Sequence, residues 1–248
     1  MTDFSPWQLA AIGLIFVWTG FVRTGLGFGG AALGLPLMLL FYDSPLFWLP
    51  IVAIHLLIFA SLTVYKRLDN VDWKYLRKSL AIMIVPKLAG IMGLLSLPDQ
   101  LMTLLVYGIT LTYGIFYLLD YNISSRSGIA DNLLLVLGAY ISGTSLIGAP
   151  LIMAVYVRHV PLKQLRDTLF VLWFILVAIK MTTFVAVGVD LHWRAALLLV
   201  PLVAIGHVAG LKAHNRLLSN QGGLYRRLIG GLLTAISSVG LLNAAFRT

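Results

Sequence analysis

Apolar runs close to 20 residues long recur from one end of this 248-residue chain to the other. A run of that length spans the roughly 30 Å of a bilayer's hydrocarbon as a helix, which satisfies its own backbone polar groups where no water can. Only 11% of the residues are charged and 60% are hydrophobic, whereas a soluble domain carries about a quarter charged residues. The chain therefore reads as an all-α polytopic membrane protein, a single transmembrane domain over residues 1–248 with no polar stretch long enough for a separate soluble domain. Its first residues, Met1-Thr2-Asp3-Phe4-Ser5-Pro6, lack the basic region and cleavage site of a signal peptide, so the first apolar run is expected to be retained.

The apolar segments fall at about 7–25, 28–41, 46–65, 79–96, 101–119, 129–143, 148–157, 167–188, 194–212 and 228–245. A glycine-rich interruption separates the first from the second, Thr24-Gly25-Leu26-Gly27-Phe28-Gly29-Gly30-Ala31, and another separates the sixth from the seventh, Ser142-Gly143-Thr144-Ser145-Leu146-Ile147-Gly148-Ala149-Pro150. Gly20, Gly25, Gly30 and Ala31 match Gly138, Gly143, Gly148 and Ala149 at a constant offset of 118, and Val71-Asp72 matches Val189-Asp190. The expected organisation is two internal repeats, 1–120 and 128–248, each a short broken pair followed by three spanning helices. Paired interruptions of this kind point to a transport site, because helix breaks at membrane depth survive only in protein or along a cavity.

Charge sets the expected orientation. Lys66, Arg67, Lys74, Arg77 and Lys78 share one loop, Arg158, Lys163 and Arg166 a second, Lys212, Arg216, Arg226 and Arg227 a third, and Arg126 sits in the central linker. Placing these four loops in the cytoplasm puts 13 of the 18 basic residues inside. Segment 46–65 then enters the cytoplasm while its counterpart 167–188 leaves it, so each broken pair is a hairpin, the repeats are inverted and both termini lie outside. The alternative is two parallel halves in which one interrupted segment of each half crosses continuously. The same loop clustering accounts for the net charge of +9, so no nucleic-acid partner is expected.

The membrane segments carry cations without anions. All nine acidic residues are aspartates in loops or at segment ends, whereas Arg23, Lys87 and Lys180 fall inside apolar segments. Each such cation costs about 2.5–3.5 kcal/mol on insertion scales, and an anionic ligand would neutralise it. Snorkelling to the interface competes with ligand contact for Lys87 and Lys180, and capping of helix carbonyls competes for Arg23. The second helix of each broken pair would point its N–H groups at the interruption, with Pro150 in a favoured first-turn position and Thr144 and Ser145 adding hydroxyls. Gly25, Gly27, Gly29, Gly30, Gly143 and Gly148 would let backbone approach a ligand; close helix packing is the competing role. His55 and His207 are intramembrane imidazoles that carry either a coupled proton or a structural hydrogen bond, while His159, His192 and His214 lie near loops. No metal-ligand spacing and no cofactor motif appears: cysteine is absent, and Gly25 through Gly30 lack the strand context of a nucleotide fingerprint.

At these residues the chain resembles the TauE/SafE sulfite-exporter family, also called the 4-toluenesulfonate uptake permease family. The resemblance rests on Gly25-Leu26-Gly27-Phe28-Gly29-Gly30 followed by Pro36, on Ser142-Gly143 through Gly148-Ala149-Pro150, and on Arg166-Asp167-Thr168-Leu169. It spans almost the whole chain. Ala31 and Ala149 stand where the family usually has glycine, a difference at the edge of the expected pocket. The resemblance implies a bacterial or archaeal cytoplasmic-membrane transporter of sulfite, sulfonate or sulfoacetate, and it adds Arg166 to the substrate contacts, with a positive-inside anchor as the other role for that residue. The expected mechanism is alternating access; a passive anion channel and a transporter of non-sulfur organic anions remain as alternatives. An intramembrane enzyme would need buried acid–base pairs that the segments lack. The expected partners are a small anionic substrate and the lipid bilayer, and a homodimer is compatible with the sequence.

Overall fold

Each of the ten apolar segments becomes a helix in the computed structural model, which describes residues 4–26, 30–121, 123–124, 127–219 and 223–246. In order they are α1 (Pro6–Leu26), α2 (Gly30–Leu39), α3 (Pro45–Val64), α4 (Trp73–Leu95), α5 (Asp99–Leu118), α6 (Gly128–Ser145), α7 (Ala149–His159), α8 (Leu162–Ala186), α9 (Trp193–Ser219) and α10 (Gly223–Ala245). Among the described residues there is no strand. Local signals set several of the ends. Asp72 caps α4 by accepting from the Tyr75 N–H, and Ser127 caps α6 by accepting from Ala130. Prolines start α1 and α3 and immediately precede α5 and α8, where a missing N–H costs nothing.

Seven helices are long and apolar enough to cross a bilayer: α1, α3, α4, α5, α8, α9 and α10. The three long segments expected in each repeat are all among them. The first broken pair differs from expectation, because α1 is not short. Its 21 residues rise about 31 Å, since the break comes only after Leu26. The short partner is α2, 10 residues or about 15 Å; in the second pair α6 has 18 residues and α7 has 11.

The chain divides into two compact units, each drawing on both sequence repeats. The first unit comprises residues 1–51, 98–122 and 192–248 and contains α1, α2, α5, α9, α10 and the start of α3. Here α1 runs along α9, and α5 runs along α10. The α1–α9 approach needs small residues: a methyl group at Gly206 would collide with the Val17 carbonyl, and one at Gly20 with the Val203 carbonyl. Without a hydrophobic driving force between helices in lipid, such close backbone contact is what holds them. Trp7 packs on Phe41 and Phe4 on Tyr42, ring centroids 5.9 and 6.2 Å apart, so the α1–α2 pair returns to the end at which it started.

The second unit comprises residues 52–97 and 123–191. Here α4 packs on α6 and α8, and α6 packs on α7. The second broken pair is also a hairpin, closed by charge. Buried Asp131 in the first turn of α6 meets Arg158 at 3.1 Å and His159 at 2.7 Å in the last turn of α7. At the start of α8, Asp167 is fully buried and meets Arg67 at 3.0 Å and Asn70 at 2.6 Å, while Thr168 accepts from the Asp72 N–H. These bonds hold the 3-10 turn Leu68–Asn70 against α8.

Candidate substrate-binding site

In the second unit the helix break is built from Ser142 through Pro150. The α6 helix stops at Ser145, and Leu146 takes a left-handed backbone (φ 62°) while its N–H returns to the Ser142 carbonyl. A leucine there is strained, and strain of this kind tends to be retained at functional breaks. Gly148 caps α7 and must be glycine, since a methyl group would strike the Gly138 backbone. Gly143 lies against the backbone of Lys87 and Gly90 on α4, where a Cβ would come within 2.5 Å of the Lys87 carbonyl.

Two buried lysines converge on this break from different helices. Lys87 of α4 donates to the Ser142 carbonyl and hydroxyl, both at 2.9 Å. Lys180 of α8 donates to the Gly143 carbonyl at 2.7 Å and the Thr144 carbonyl at 3.0 Å, with Phe184 5.2 Å from its ammonium. Both lysines are fully buried, and among the described residues neither has a carboxylate within ion-pair distance. Lys180 therefore does not snorkel. Each ammonium has three donors and uses two of them on the end of α6. Among the described residues, the third donor of each ammonium takes no partner on the end of α6.

The first unit builds a related end with different chemistry. Thr24 near the end of α1 shares a hydrogen bond with His207 Nδ1 of α9 at 2.7 Å. The Gly25 carbonyl accepts from Nδ1 of His214 at 2.7 Å. Arg23 is buried and lays its stem over Gly30, whose added Cβ would come 2.9 Å from the Arg23 Cβ at the first turn of α2. The two ends correspond position by position. Thr24 and Gly25 match Ser142 and Gly143 at the offset of 118, and His207 and Gly210 match Lys87 and Gly90 at an offset of 120. Gly210 faces Gly25 as Gly90 faces Gly143.

The family model for the sulfite exporter TauE/SafE matches residues 12–239, nearly the whole chain. The chain belongs to the TauE/SafE family. As a TauE/SafE protein it is a multi-pass membrane protein of a transporter family for sulfite-type sulfur anions. No curated protein and no solved structure matches it.

The remaining TauE/SafE residues singled out in the sequence divide by location. Gly27 and Gly29 lie outside the described residues. Gly25, Gly30 and Arg23 gather at the end of the first hairpin, and Gly143, Thr144, Ser145, Gly148, Pro150, Lys87 and Lys180 at the end of the second. The Thr144 and Ser145 hydroxyls donate back to the Ile141 carbonyl, so Thr144 serves the break through its own carbonyl instead. Arg166 stands over Phe170 in the second turn of α8, about 21 Å along the helix from Lys180, and belongs with the Arg67–Asp167 cluster. His55 is buried on α3. Sequence reasoning passed over His214 as a residue near a loop; its signal would have been its one-turn distance from Gly210 on α9.

Proposed function

We propose that the protein is a secondary transporter of small sulfur-containing anions, of the sulfite, sulfonate or sulfoacetate type. In this reading it works by alternating access of the inverted halves 1–120 and 128–248 in a bacterial or archaeal cytoplasmic membrane, with both termini outside. The observation that carries the reading is the pair of buried lysines at the α6 break, two charges on three consecutive residues with no carboxylate beside them. Capping alone accounts poorly for them. A cation at a helix C-terminus gains about 0.3–1 kcal/mol, up to ~2 when partly buried, against an insertion cost of about 2.5–3.5 kcal/mol for each lysine. A neutral amide side chain would satisfy the same carbonyls without that cost. A small oxyanion accounts for both charges, while Gly143 and Gly148 let α4, α6 and α7 pack closely enough to bring the lysines to the break.

The distribution of basic loops supports the orientation, and both pairs returning to their starting end agrees with inverted rather than parallel halves. Counterflow exchange in proteoliposomes tests the transport mode: labelled sulfite should enter vesicles preloaded with unlabelled sulfite faster than empty ones. Currents that rise without saturation would replace the transporter with a channel.

A further inference from the structure

The end of α6 gathers two cations on adjacent residues. Lys87 donates to the Ser142 carbonyl and hydroxyl, and Lys180 to the Gly143 and Thr144 carbonyls, so both ammoniums stand against one helix turn. We infer that this pair selects anions carrying two negative charges. The substrate is thereby narrowed to doubly ionised sulfite or sulfoacetate, with simple alkyl sulfonates, which carry one charge, bound less tightly. The inference rests on the anion-transport reading above and adds the charge of the substrate to it.

Charge balance carries the argument. Both lysines are fully buried, and the carboxylates of the helices packed around them are distant and engaged. Asp131 lies about 17 Å from Ser142 along α6 and pairs with Arg158 and His159. Asp167 lies about 20 Å from Lys180 along α8 and pairs with Arg67. Asp72, the cap of α4, is about 22 Å from Lys87, and α7 contains no carboxylate. A bound monoanion would leave one buried charge uncompensated, whereas an anion of two charges compensates both. The Thr144 and Ser145 hydroxyls are spent on the Ile141 carbonyl and offer no hydrogen to a ligand. Dehydration works against the dianion, because its cost rises steeply with charge. A site of neutral donors, or of a single cation, therefore prefers the monoanion. The sign of the preference reports how many charges the break presents.

The test compares sulfate with methanesulfonate, two tetrahedral sulfur anions of similar size that differ by one charge and do not titrate near neutral pH. Calorimetry on the full chain in detergent at about pH 7 should show sulfate bound about tenfold or more tightly than methanesulfonate. Lys87→Met and Lys180→Met keep an apolar stem and drop the charge. Each should weaken sulfate more than methanesulfonate and bring the ratio of affinities to one or below. Where a methionine variant fails to fold, the wild-type comparison decides on its own. Methanesulfonate bound by the wild type as tightly as sulfate, or a sulfate preference undiminished in the folded lysine variants, overturns the charge selection and leaves sulfur-anion transport standing. No binding of sulfate, methanesulfonate or sulfite overturns both.

Discussion

The hairpin α1–α2 and the hairpin α6–α7 solve the same geometric problem with opposite chemistry at each end. At the open end, the first is closed by the rings of Phe4, Trp7, Phe41 and Tyr42, the second by Asp131 against Arg158 and His159. At the break, the first presents imidazoles and the second ammoniums. The difference at the open ends pairs an aromatic closure near the N-terminus with an ionic one whose basic members, Arg158 and His159, belong to a loop rich in basic residues. The difference at the breaks is one of donor chemistry. A backbone end that needs a donor can take it from an imidazole or from an ammonium, and this protein has one of each.

The largest expected effect tests the ammonium end. Lys87→Ala and Lys180→Ala should each weaken sulfite binding by more than about 2 kcal/mol, near thirtyfold, because a desolvated charge partner is removed. Titration calorimetry on variants that remain monodisperse in detergent measures it. Equal losses from His207→Gln and Lys87→Ala would erase the contrast between the two breaks, and a smaller His207 effect would sharpen it.

The next effect concerns the close approaches. Gly148→Ala should lower stability by about 1–3 kcal/mol, since its methyl would meet the Gly138 backbone, which cannot step aside as a side-chain tip can. Gly93→Ala is the control: its Cβ would meet only the Tyr140 hydroxyl at 3.4 Å, and melting temperature should scarcely move. Equal losses from both would show that the second break is not held by the Gly138–Gly148 contact.

The smallest effect compares the open ends. Asp131→Asn should cost about 1 kcal/mol, because Arg158 and His159 are partly exposed and salt screens the pairs. The loss should shrink as salt rises. Trp7→Ala should produce a loss that does not shrink with salt, because ring packing carries no charge. Parallel salt dependence in thermal unfolding would contradict the division into aromatic and ionic closures.

The helices and their breaks were legible in the sequence because a bilayer permits few alternatives: hydropathy marked all ten segments, and glycine and proline marked where α1 and α6 end. In the sequence the hairpin form follows only from loop charge; the structure shows it by setting Asp131 beside Arg158, 27 positions away. Pairing across the repeats was hidden as well. The α1 helix packs on α9, and α6 on α4, through glycines whose partners lie far off in sequence, and hydropathy records that a helix is apolar without recording which helix it meets. The site was half legible. Lys87 and Lys180 stood out as cations without acids, yet their meeting at consecutive carbonyls depends on two further helices. His214 is not legible in the sequence because its partner is a backbone carbonyl, which leaves no trace in side-chain patterns.

The most direct test of the central claim, that the lysine-held break binds a sulfur oxyanion, is a thermal-shift series on the full chain with sulfite, sulfate, alkyl sulfonates and simple carboxylates. Stabilisation by sulfite or sulfonates in the wild type, abolished in both Lys87→Ala and Lys180→Ala, is the predicted result. Stabilisation by carboxylates alone, or an undiminished sulfite shift in the two variants, would contradict it.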